Sequence, residues 1–65
     1  MEAKEIGKRL ADLRGNRSQA EIASELGLST SAISMYENGE RVPKDEIKIK
    51  IAKFYEKSVQ SIFFD

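Results

Sequence analysis

The sequence predicts an all-α domain of five short helices, and three observations predict it. Apolar residues recur at helical spacing, as Ile6, Leu10 and Leu13 do at i, i+4 and i+7. Start and stop residues punctuate the chain at helical lengths: Ser18, Ser29 and Ser58 as starts, Gly15-Asn16, Gly27 and Asn38-Gly39 as stops. Ala23, Gly27 and Ile33 fall where two helices must cross at a tight turn. At 65 residues, the chain (1–65) makes one domain with a single small core.

Helix 1 runs from about Ala3 to Arg14, with Gly7 inside it at a cost of about 1 kcal/mol relative to Ala. Ser18 opens helix 2, and Glu21, three residues on, completes a capping box. Leu26-Gly27 closes that helix, since a left-handed residue at its end costs glycine no Cβ clash. Ser29 caps helix 3, which runs to about Glu37. Glu40 to Pro43 is a loop, and Lys44 to Tyr55 is helix 4. Here Ile47-Lys48-Ile49-Lys50-Ile51 also alternates as a strand would, but a lone strand would have no partner in this chain. Ser58 caps a short helix 5 through Phe63.

Composition excludes several classes. There is no cysteine and no histidine, so neither a disulfide nor a Cys/His metal cluster supports the fold, and no cofactor is expected. No glycine-rich phosphate loop and no evident nucleophile–base pair marks an enzyme. The densest apolar run, Ile62-Phe63-Phe64, is far too short to span a membrane, and the charged start MEAKEIGKRL is no signal peptide. A cytoplasmic protein is the expectation.

The spacing of Ala23, Gly27 and Ile33, with Ile22, Leu26, Leu28 and Tyr36 as further inward positions, is that of a helix-turn-helix. The second helix of such a motif stands clear to enter a DNA major groove. Net charge is formally zero, and residues 18–40 hold four glutamates and no Lys or Arg. Phosphate attraction dominates DNA affinity, so Arg17, Arg41 and Lys44 must supply the formal charge from the flanks. The N-termini of helices 2 and 3, at Ser18 and Ser29, add backbone N–H donors. Lys48, Lys50 and Lys53 read as a solvated face.

The segments IGKRLADLR, SQAEIASELGLSTSAISMYENGERVP and IAKFYEKSVQSIFF together resemble the Cro/C1-type (XRE, lambda repressor-like) family of bacterial and phage regulators. The resemblance implies a five-helix domain that binds double-stranded operator DNA as a dimer. In such proteins a glutamine opening helix 2 touches the DNA backbone and buttresses helix 3, and Gln19 matches it. The first exposed positions of helix 3 read bases; here they are Thr30, Ser31, Ser34 and Met35. Their hydroxyls can donate or accept, while Met35 and the Thr30 methyl suit a thymine methyl. With no Arg, Gln or Asn on this face, DNA shape and half-site spacing must contribute to specificity. Asn38 matches a phosphate-binding position, and Arg14 and Glu37 match an ion pair joining helix 1 to helix 3.

Two departures from the family stand out. The connection Gly15-Asn16-Arg17 is about two residues shorter than usual, and Lys57 stands where an apolar residue commonly precedes the last helix. Ile62, Phe63 and Phe64, with Phe54 beside them, are the expected homodimer surface. A protein-directed antitoxin or adaptor of the same fold is the alternative reading.

Overall fold

Serines ahead of the second and third helices satisfy backbone groups that a helix end leaves unpaired. In the computed structural model, which describes residues 2–65, α1 is Ala3–Arg14, α2 Gln19–Leu26, α3 Thr30–Glu37 and α4 Asp45–Tyr55. A final turn, α5, spans Gln60–Phe64. No strand occurs among the described residues.

The caps on α2 and α3 are those the serines predict. Ser18 Oγ accepts from Glu21 N at 3.0 Å while Ser18 N donates back to Glu21 Oε1 at 3.1 Å. Ser29 Oγ accepts from Ala32 N at 3.0 Å. Gly27, with φ of 69°, ends α2 in a Schellman closure, Leu28 N donating to Ala23 O at 2.9 Å. Lys50 Nζ reaches over from α4 and donates to Leu26 O at 2.8 Å, supplying the cation that the last turn of α2 lacks. Lys50 is therefore a helix cap as well as part of the exposed face.

The core gathers Ile6 and Leu10 of α1, Ile22, Ala23 and Leu26 of α2, Ile33 and Tyr36 of α3, Ile51 and Ala52 of α4, and Ile62 and Phe63 of α5. Within α4, Ile47 is half-buried and Ile51 fully buried, while Ile49 points outward at 50% exposure. Helical phase, not strand alternation, thus governs the run from Ile47 to Ile51. Gly7 is needed where α1 lies against the end of α3: a Cβ there would stand 2.8 Å from the Tyr36 carbonyl oxygen and closer still to that of Glu37. Its presence in a helix reflects close packing, which outweighs the propensity cost.

Two boundaries differ from expectation. Lys44 is the extended residue before α4, so the helix starts one residue later, with Asp45 and Glu46 favourably placed at its N-terminus. The last element is a π-turn closed by Asp65 N donating to Gln60 O at 2.9 Å, with Ser58 Oγ accepting from Ser61 N at 3.0 Å. A turn closed from i to i+5 rotates less per residue than an α-helix, so the neighbours Ile62 and Phe63 both face inward.

Candidate nucleic-acid interface

α3 has two chemically distinct sides. Ile33 and Tyr36 are buried, whereas Ser29, Thr30 and Ser31 are exposed and Ser34 and Met35 half-exposed. The apolar side faces α1 and α2, so the hydroxyl-rich side faces outward. Asn38, which ends α3, donates from Nδ2 to Ser34 Oγ at 3.3 Å. Arg41 and Lys44 are exposed on the following loop and line a surface hollow with Tyr36, Val42 and Ile47.

Behind this surface, three helices meet at Glu37. Arg14 Nε donates to Glu37 Oε2 at 2.8 Å and Arg14 Nη2 to Oε1 at 2.9 Å, a bidentate pair. Gln19 Nε2 donates to the same Oε1 at 3.0 Å, leaving its second N–H unused by this contact. Burial alone would raise the pKa of the Glu37 carboxyl, but bonds from Arg14 and Gln19, with Arg14's charge, outweigh it and hold the pKa below the usual value. The hydrogen bond to Glu37 raises that of Arg14 against the opposing cost of desolvation. Glu37 is thereby an ionised, locally neutralised group.

Arg17 is exposed but not idle. Its guanidinium lies 5.3 Å from the Phe54 ring centroid and 5.5 Å from that of Tyr55. Its backbone carbonyl accepts from Arg14 Nη1 at 2.7 Å. The short connection between α1 and α2 is thus fastened both to Arg14 and to the end of α4. Phe54, half-buried with Arg17 over it, is correspondingly less available to a partner than the sequence suggested.

The expected dimer surface requires correction. Ile62 and Phe63 are each 2% exposed and belong to the core of their own chain, because the π-turn directs both inward. Phe64 is 55% exposed, and Ile49, Val59, Asp45 and Lys48 line one surface hollow with it. Lys48, expected among solvated lysines, lies 4.8 Å from the Phe64 ring centroid and 3.6 Å from an Asp45 carboxylate oxygen. The helical reading of the alternating run already set Ile49 off the face marked by Ile47 and Ile51, but its exposure was not carried into the expected dimer surface.

A family model described as helix-turn-helix matches residues 5–62. Over 59 residues the chain is 39% identical to the cryptic phage CTXphi transcriptional repressor RstR of Vibrio cholerae, an alignment covering 88% of this chain and 53% of that protein. The chain therefore spans about half the length of the curated relative it matches. No solved structure matches it.

Proposed function

The chain belongs to the helix-turn-helix family, and from that membership we propose a DNA-binding transcriptional regulator of the Cro/C1 kind. In this reading it is a repressor that sets α3 in the major groove of a palindromic operator as a homodimer. The family is one of binding proteins, not enzymes. The observation that carries the reading is the division of α3, with Ile33 and Tyr36 sealed in the core and Thr30, Ser31, Ser34 and Met35 left outward. The relative's description as a transcriptional repressor supports repression as the sign of control.

Thr30, Ser31, Ser34 and Met35 read base edges, while Gln19, Ser29, Asn38, Arg41 and Lys44 hold phosphates. Arg17 adds positive charge from its seat on the aromatic rings. Short side chains on α3 let its backbone approach the groove floor closely. Because Glu37 is paired and Glu21 is engaged in its capping box, only part of the motif's acidity faces DNA.

Selection of bound duplexes from a random pool tests the reading most directly. It should return a palindrome with half-sites about 34 Å apart, one helical turn. Affinity should fall steeply as salt rises. Arg41→Ala should weaken binding to all sequences and flatten the salt slope by about one unit, whereas Met35→Gln should shift the preferred bases. The opposite pattern, base preference moved by Arg41→Ala and untouched by Met35→Gln, would reverse the assigned roles. Absence of duplex binding at any salt would favour the protein-directed adaptor, a reading otherwise supported by the net charge of zero.

A further inference from the structure

Ser34 is the half-exposed hydroxyl of α3 that another side chain already engages. A serine hydroxyl carries one donor and two acceptor lone pairs. The Asn38 amide, donating from Nδ2 at 3.3 Å, occupies one of those lone pairs. In a helix the usual sink for a serine proton is a carbonyl of the preceding turn, as Ser61 Oγ uses Ser58 O at 3.0 Å. Among the described residues Ser34 makes no such bond, and its proton remains available for an outside acceptor. The backbone holds the pair together as well, since Asn38 N donates to Ser34 O at 2.9 Å.

We infer that Asn38 is a positioning residue that fixes Ser34 as a hydrogen-bond donor toward the DNA, so that Ser34 selects a base presenting an acceptor in the major groove. This rests on the placement of α3 in that groove. The acceptors there are N7 and O6 of guanine, N7 of adenine and O4 of thymine, whereas cytosine offers only an amino donor. Cytosine on the contacted strand is thus the base that offers the Ser34 proton no partner. The other hydroxyls of the face, on Thr30 and Ser31, have no comparable partner to set their direction among the described residues. Asn38 consequently has two separable duties: general affinity through phosphate, and base choice through Ser34.

The test is competition binding of the whole chain to its selected operator and to a duplex of unrelated sequence. Ser34→Ala should reduce the ratio of operator to unrelated affinity by about three- to tenfold, the worth of one hydrogen bond. Ser34→Thr, which keeps the hydroxyl, should restore it. Asn38→Ala should weaken binding to both duplexes and lose the same ratio, and the double variant should lose no more of the ratio than Ser34→Ala. Operators with one major-groove acceptor removed at a time (7-deazapurines, 2-aminopurine for guanine, or 5-methyl-2-pyrimidinone for thymine) then locate the contact. At one position the analogue should cost the wild-type chain the same factor and cost Ser34→Ala nothing. If Asn38→Ala leaves the ratio intact, if the two losses add, or if every analogue costs Ser34→Ala as much as wild type, the inference fails while DNA binding stands. Failure of the wild-type chain to bind any duplex would remove both.

Discussion

Glu37 shows how one residue would reconcile an acidic segment with the polyanionic partner proposed for it. Its side chain is 6% exposed and that of Arg14 is 22% exposed, so the pair lies between the surface and fully buried regimes. Removing one partner should therefore cost about 1–3 kcal/mol, above a surface pair and below a buried one. The folded-state pKa of Glu37 lies below its ordinary value of 4.5, because the bonds from Arg14 and Gln19 overcome the effect of burial. A carboxyl depressed on folding contributes stability that is complete above the unfolded value and lost as pH falls through the folded one. Denaturant melts of wild type should thus weaken as pH drops below 4.5, and Glu37→Gln should be weaker at neutral pH but flatter across that acid window. Equal acid slopes for the two chains would show that the pair does not govern the transition. The pairing of Arg14 with Glu37 was legible only through family resemblance, since residues 23 positions apart have no local pattern to join them. Gly7 was visible in the sequence but its purpose was not. A glycine on the inward side of an amphipathic helix signals close approach of another backbone, and here that backbone is the end of α3.

At the scale of elements, the sequence spoke plainly wherever a helix end was made by local chemistry. The serines before α2 and α3 and the glycines after them fix boundaries because a cap involves residues only a few positions apart. The end of α4 has no such residue. Glu56 takes φ of 56°, the only positive value outside glycine among the described residues, in a Schellman closure with Lys57 N donating to Ala52 O at 2.9 Å. Lys57 occupies the position that usually makes the closure's apolar contact, so the family departure there and the strain at Glu56 are parts of one weakly built cap. Glu56→Gly should relieve the left-handed strain and raise stability by about 0.5–1 kcal/mol, after the added freedom of the unfolded chain is subtracted. In a domain of this size that corresponds to a rise in Tm of about 2–8 °C, measurable by circular dichroism. An unchanged or lower Tm would mean that another contact of Glu56 matters more than its backbone. The π-turn of α5 was not legible, because its register depends on seating Ile62 and Phe63 together in a core assembled from the other four helices.

For the whole molecule the relevant facts are small size, balanced charge and an exposed apolar region around Phe64 and Ile49. A 65-residue chain buries only about 60% of its unfolded surface, and in the proposed function one recognition helix with short side chains would cover few base pairs. Two copies related by a twofold axis would answer both shortages, reading two half-sites and covering apolar surface. The region around Phe64, Ile49 and Val59 suits that role better than the apolar tail as a whole, since Ile62 and Phe63 are already used inside the chain. Asp45 and Lys48 stand on the same patch, so each copy brings both signs of charge to a symmetric contact. Phe64→Glu should place a carboxylate in that contact without disturbing the core, because the side chain it replaces is 55% exposed. The variant should keep its helical circular dichroism, sediment as a monomer and bind a palindromic operator about 10²-fold or more weakly, the loss expected when two linked contacts become one. Its affinity for a single half-site should be unchanged, which separates lost assembly from lost reading. A wild-type chain that sediments as a monomer at micromolar concentration, or a Phe64→Glu dimer as tight as wild type, would rule this patch out as the twofold surface.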